Sequence, residues 1–133
     1  MPQYGNGSAT YDAAGGIEGL KKLVADFYQV MSKNPDYKTI RDMHPKDLTE
    51  SEDKLVCFLS GWTGGERLFA KKYGQISIPH AHSHLVIGEA ERDMWLHCMQ
   101  EALDKQVYAH DFKSYLLEQL KIPAERIRMA CKR

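Results

Sequence analysis

His80-Ala81-His82-Ser83-His84-Leu85-Val86-Ile87-Gly88-Glu89-Ala90-Glu91-Arg92-Asp93-Met94-Trp95 is the stretch on which the reading of this chain turns. Three alternating histidines precede a short apolar run. Beyond Gly88, apolar residues recur at three- and four-residue spacing: Met94, Trp95, Cys98, Met99, Ala102 and Leu103. That period predicts an amphipathic helix from about Glu89 to Gln106. Period-two alternation is almost confined to Leu85-Val86-Ile87, so the histidines are carried by a helical scaffold.

The same period recurs on both sides. Ile17, Leu20, Leu23, Val24, Phe27, Val30 and Met31 predict a long first helix, opened by Gly15-Gly16 and stopped near Asn34-Pro35. Residues 36–46 have a short helical pattern that breaks at His44-Pro45. Thr49-Glu50-Ser51-Glu52 matches a capping box for a helix whose apolar face is Leu55, Phe58, Leu59 and Trp62, ending at Gly64-Gly65. A short helix over Arg67 to Lys72 leads into an irregular stretch from Gln75 to Pro79. The last helix is expected over Asp111 to Leu120, with Pro123 beyond its end. The class is all-α, with residues 1–12 as a flexible N-terminal arm, 13–121 as one domain and 122–133 as a C-terminal tail.

Composition excludes several functions. A chain of 133 residues with 43% hydrophobic content supports one domain with a real core. Lys+Arg and Asp+Glu balance at 18 each, which argues against a nucleic-acid binder needing an excess of cations. No run of eighteen apolar residues is present to span a membrane. The first residues lack the basic and apolar regions of a signal peptide, so the expected location is cytoplasmic. Cys57, Cys98 and Cys131 are odd in number and contain no C-x-x-C pair, against both a disulfide framework and a zinc ribbon. Cys57 and Cys98 read as buried, inert thiols, and Cys131 as part of a frayed tail. No repeat or low-complexity tract occurs, and nothing specifies an oligomeric state.

Two readings of the histidines remain open. On an extended segment, His80, His82 and His84 would point one way and could chelate zinc or non-haem iron, or simply lie solvated in a loop. A haem site needs only one imidazole, neutral, aimed at an apolar slot and held by its other ring nitrogen. Leu85, Val86 and Ile87, then Trp95 and Met99 one turn apart, supply such a wall, and Leu55 and Phe58 lie on another apolar helix face. Tyr28 and Trp95 would bring a phenol and an indole as hydrogen-bond donors to a diatomic ligand.

Taken together these residues resemble the truncated haemoglobins of group II, over about Tyr11 to Leu120. Gly15-Gly16 matches the family's glycine pair before its first long helix, Phe27-Tyr28 its distal pair, and Gly64-Gly65 the glycines after its third helix. His82, followed thirteen residues later by Trp95 within Arg92-Asp93-Met94-Trp95, matches the proximal histidine and the group-defining tryptophan. The resemblance implies a two-over-two helical sandwich around haem b (iron protoporphyrin IX). It makes His82 the iron ligand, excluding His80 and His84, and Tyr28, His44 and Trp95 the polar distal groups. Phe27, Ser51 and Leu55 complete the distal side.

The chain departs from the family pattern in places. His44 replaces the usual tyrosine, and the connection after it looks one residue shorter than in some relatives. Arginines common before the proximal histidine are replaced by Ser77, Pro79 and Ala81, leaving Lys54, Tyr73, His80 and His84 as candidates to pair with the haem propionates.

The implied ligands are O₂, NO, CO or peroxide, with a reductase as a further partner. The activities implied are NO dioxygenation or peroxide chemistry in a protective role, with a ligand sensor or O₂ store as the alternative. A neutral imidazole at His44 would make ligand release depend on pH between about 5.5 and 7.5.

Overall fold

A computed structural model describes residues 4–74 and 78–131. Among them every regular element is helical: α1 (Ala9–Ala13), α2 (Gly16–Lys33), a 3₁₀ turn (Pro35–Tyr37), α3 (Lys38–Arg41), α4 (Thr49–Trp62), α5 (Leu68–Tyr73), α6 (Ile78–Ala81), α7 (Glu89–Asp104) and α8 (His110–Cys131). The predicted all-α class holds. Helix α2 packs on both α4 and α7, α7 packs on α8, and α8 packs on α6. The two pairs α2–α4 and α7–α8 thus meet through α2 and α7. No described helix is long and apolar enough to cross a membrane.

Helix α2 forms as its period dictates. Leu20, Leu23, Val24, Phe27, Tyr28, Val30 and Met31 are all buried, and Leu20, Leu23, Val24 and Phe27 are wholly enclosed. At roughly 1.5–3 kcal/mol for each large apolar side chain removed from water, this stripe alone outweighs intrinsic helix propensity. The chain stops at Asn34, whose Oδ1 accepts from the Asp36 backbone N–H at 3.0 Å and starts the 3₁₀ turn that leads to α3.

The start of α4 differs from the expected capping box. Thr49 does not cap; its N–H and Oγ1–H both donate to Asp47 Oδ1, at 2.9 and 2.7 Å. A carboxylate two residues upstream is the stronger acceptor, and it draws the hydroxyl outward. The end of α4 agrees with expectation. Gly65 N–H donates to Ser60 C=O at 2.8 Å and Gly64 N–H to Gly61 C=O at 3.1 Å, the paired bonds of a Schellman motif. Gly64 has φ +101°, and a Cβ there would meet Gly7 O at 2.1 Å.

Toward both ends of the described residues, helix extends further than expected. The segment read as an arm contains α1, and Tyr11 N–H donates to Thr63 C=O at 3.0 Å. The Tyr4 ring lies against Phe112 and Tyr115, with centroids 5.2 and 5.0 Å away. At the other end the predicted stop at Leu120 is overrun, for α8 continues through Pro123 to Cys131. The proline forfeits one backbone hydrogen bond. Packing overrides that loss, because Leu120 and Cys131 are buried and Ala124 and Ile127 half-buried at continuing helical spacing.

Candidate functional site

His82 is the first residue of a turn that leaves α6. Its Nδ1 lies 2.7 Å from the Ile78 carbonyl oxygen. A carbonyl only accepts, so Nδ1 carries a proton; in the neutral ring Nε2 then keeps its lone pair, which is the tautomer a metal ligand requires. The backbone is tied as well, for His82 C=O accepts from Leu85 N–H at 2.9 Å and from Cys131 Sγ at 2.9 Å. Leu85 and Ile87 are then half-buried, while Val86 between them is 84% exposed.

An extended histidine ladder is not what forms here. Residues 78–81 are helical and 82–84 make a turn, so the segment has no strand alternation. His84 is exposed. Ser77 and the side chain of His80 lie outside the described residues. Among the described residues no group of three or more His, Cys, Asp or Glu side chains is placed to hold a metal ion.

Four aromatic side chains form a continuous wall from the turn after α3 to α7. His44 meets Tyr28 with centroids 5.5 Å apart, Tyr28 meets Phe27 at 5.0 Å, and Phe27 meets Trp95 at 5.2 Å, each pair edge-to-face. Phe27 is wholly buried and backs its two neighbours; Tyr28 is buried and Trp95 half-buried. Neither the Tyr28 hydroxyl nor the Trp95 indole N–H donates to another described residue. Burial, with Glu52 and Cys98 nearby, pushes the Tyr28 phenol well above its ordinary range, so it stays a neutral O–H donor. His44 Nδ1 is 2.8 Å from Ile40 C=O, which again leaves Nε2 with a lone pair. Burial lowers the pKa of His44, the Ile40 hydrogen bond opposes this, and the charges of Arg41 and His82 add to the lowering. The His82 contribution sets the two imidazoles within electrostatic reach of one another.

Helices α4 and α5 supply the remaining predicted residues. Ser51, Leu55 and Phe58 are half-buried on α4, and Leu55 and Phe58 pack against the core cluster. Trp62 stacks on Phe58 at 6.0 Å. Lys54 Nζ lies 5.4 Å from the centre of the Tyr73 ring and pairs with Glu50 at 3.2 Å. The Tyr73 hydroxyl donates to Asp53, whose carboxylate also pairs with Lys72 at 2.7 Å. The Asp53 hydrogen bond raises the Tyr73 pKa to about 12. Met99 is fully enclosed in the core.

The structure also shows contacts that pattern reading did not anticipate. Cys98 Sγ donates to Phe27 C=O at 3.4 Å, which ties α7 to the residue before Tyr28. Arg92 bridges α7 to α8 through Glu125 at 2.8 Å. Cys131 was visible in principle, because Leu120, Ala124, Ile127 and Cys131 continue one helical stripe across Pro123.

The residues present fit a haem. One imidazole is tied through Nδ1 to a carbonyl, His44 at the end of the aromatic wall lies within electrostatic reach of it, and cationic and hydroxyl groups gather at Lys54, Lys72 and Tyr73. Comparison with known proteins agrees. Residues 9–128 match the model of the bacterial-like globin family. The chain is 31% identical over 120 residues to the group 2 truncated hemoglobin YjbI of Bacillus subtilis, covering 90% of this chain and 88% of that one. Among solved structures it is similar to the cold-adapted truncated hemoglobin of Pseudoalteromonas haloplanktis TAC125, with TM-score 0.84, 30% identity and coverage of 89% and 95%. It is also similar to the group II 2-on-2 hemoglobin of Agrobacterium tumefaciens, with TM-score 0.83, 30% identity and coverage of 90% and 92%. Likeness in sequence and in fold extends over nearly the whole chain: it belongs to the bacterial-like globins as a truncated haemoglobin of group II, a family that binds diatomic ligands at haem.

Proposed function

We propose that this chain holds haem b through His82 Nε2 and retains O₂ in a polar distal pocket, for O₂/NO or peroxide chemistry in a protective role. The observation that carries this is the fixed tautomer of His82, through the 2.7 Å bond from Nδ1 to Ile78 C=O. Haem iron, when bound, supplies the coordination position for O₂, NO or CO and the electrons for their chemistry.

The rest is work for the chain. Tyr28 O–H and Trp95 N–H donate toward a diatomic ligand, and His44 Nε2, unprotonated at neutral pH, accepts from a donor or holds a water. Phe27 keeps the two donor rings in place from behind. Leu55 offers no hydrogen bond, so distal polarity comes from Tyr28, His44 and Trp95. Lys54 and Tyr73 are the candidates for the propionate carboxylates, with Lys72 beside them.

Hydrogen bonds to an acceptor carrying charge are worth about 1.5–3 kcal/mol each, so two or three of them make release slow. Slow release suits a reaction better than transport. The B. subtilis structure whose protein is described as oxygen-avid is 30% identical to this chain, with TM-score 0.79, and supports the same reading. A reductase partner and rapid reaction with NO separate turnover from simple storage or sensing.

The test is the absorption spectrum of the haem-reconstituted protein, wild type beside His82→Gly. A strong Soret band in wild type, weakened or shifted in the variant and restored by added imidazole, is expected. Absence of a specific band in wild type would overturn the reading and return attention to His80, His82 and His84 as ligands for zinc or iron.

A further inference from the structure

The last turns of α8 reach the backbone of the proximal segment through contacts that none of the roles above uses. Two polar anchors fix this extension. Glu125 accepts from Arg92 Nη1 at 2.8 Å and from Arg128 Nε at 2.7 Å, which joins it to α7 three residues before Trp95. Cys131 Sγ donates to His82 C=O at 2.9 Å. That carbonyl also accepts from Leu85 N–H at 2.9 Å, so both of its lone pairs are engaged, one by a donor within its own turn and one by α8.

We propose that Cys131 is a positioning residue for His82, holding the peptide that sets the direction of the imidazole. The proposal rests on the reading of His82 as the iron ligand. The imidazole is fixed at its Nδ1 end by Ile78, which settles tautomer and ring rotation. That bond leaves the Cα–Cβ direction to the backbone, at the point where the chain abandons α6 for a turn. The Cys131 bond acts there, and the thiol is buried with 8% exposure, so water competes weakly for the carbonyl. A weak donor in a dry place can hold what a stronger donor in water could not.

The test uses the full chain reconstituted with haem: wild type, Cys131→Ala, Cys131→Ser and His82→Gly. Three quantities are read: the iron–histidine stretching band of the ferrous, ligand-free protein in resonance Raman, the rate of haem transfer to an excess of acceptor apoprotein, and thermal unfolding of the apoprotein. Cys131→Ala is expected to shift or broaden the band and to speed haem loss about fivefold, the worth of one net hydrogen bond. Cys131→Ser, which keeps a donor, is expected closer to wild type.

A purely structural role would lower the apoprotein Tm and leave the band in place, and an unmoved band in Cys131→Ala overturns the proposal. Where His82→Gly loses the band and imidazole restores it while Cys131→Ala is silent, the Cys131 proposal alone fails. Where His82→Gly keeps the wild-type band, the reading of His82 fails and this proposal with it. Should Cys131→Ala not fold, the isosteric pair Cys131→Thr and Cys131→Val carries the comparison: identical bands in the two overturn it, and a band nearer wild type in the threonine variant supports it.

Discussion

The imidazole of His44 stands edge-on to the ring of Tyr28, with centroids 5.5 Å apart and planes at 77°. This contact buries His44, and burial is the first cause of its lowered pKa, followed by the opposing bond to Ile40 and then the charges of Arg41 and His82. The window expected from an unperturbed imidazole, about pH 5.5 to 7.5, therefore moves down. In the unfolded chain His44 takes its proton at about pH 6.5, and in the folded chain at a lower pH. Between those values the unfolded state binds more protons. Stability linked to His44 is thus present above 6.5 and is lost as pH falls through the folded value. Stability, followed by unfolding from pH 7.5 down to 5, should decline more steeply in wild type than in His44→Phe. Ligand off-rates should be flat above about pH 6.5 and vary below it, with His44→Phe flat throughout; dependence centred above that value would contradict this placement.

Glu125 offers a second titration with the opposite chemistry. Its hydrogen bonds from Arg128, then Arg92, pull the carboxyl down to about 2. The sign is that of a depressed acid: its contribution is present above the unfolded value of about 4.3 and is lost as pH falls through the folded one. Carbon NMR of the Glu125 carboxyl should show it ionised until about pH 2 in wild type. Arg128→Met should bring the midpoint back toward the ordinary range. A wild-type midpoint near 4 would mean that the bridge between α7 and α8 is not held in solution.

Much of this architecture was legible beforehand because its causes are local. The stripe of α2, the stop before Pro35 and the double glycine after α4 each follow from period, proline geometry or a positive φ. The readings that failed depend on partners distant in sequence. Thr49 satisfied a capping pattern, yet Asp47 was the better acceptor. Pro123 looked like a terminator, and the loss it imposes was overridden by packing of Ile127 and Cys131 and by Glu125 reaching Arg92. At the site, Tyr28 and Trp95 were marked by resemblance. The bond from Cys131 to His82 spans 49 residues, and no local pattern announces it.

The glycine turn after α4 makes a stability prediction with an internal control. Gly64 has φ +101°, and a Cβ there would lie 2.1 Å from Gly7 O, so alanine meets both backbone strain and a clash. Gly74 has φ +82°, and no described residue lies within 4 Å of a Cβ there, so alanine meets backbone strain without that clash. Gly64→Ala should cost about 3 kcal/mol and Gly74→Ala about 1–2, each kilocalorie lowering Tm by roughly 4 °C. Equal losses in the two variants would show that the segment around Gly7 does not rest on this turn.

Trp95 and Tyr28 share Phe27 as a common support, since its ring touches both, and this makes their contributions to ligand retention separable. The Tyr28 phenol stays protonated over the working pH range, and an indole N–H donates only. Trp95→Phe should speed O₂ dissociation about tenfold or more, the loss of one hydrogen bond to a charged acceptor. Tyr28→Phe should act in the same direction, and at a constant rate across neutral pH in wild type because the phenol does not ionise there. If both donors serve one ligand atom, removing the first lets the second shorten its bond, and the double variant should exceed the product of the single effects. If they serve different atoms, the effects multiply. Stopped-flow ligand replacement on wild type, both single variants and the double variant measures this. An unchanged off-rate in Trp95→Phe would remove the indole from the distal role, leaving Tyr28 and His44 to hold the ligand.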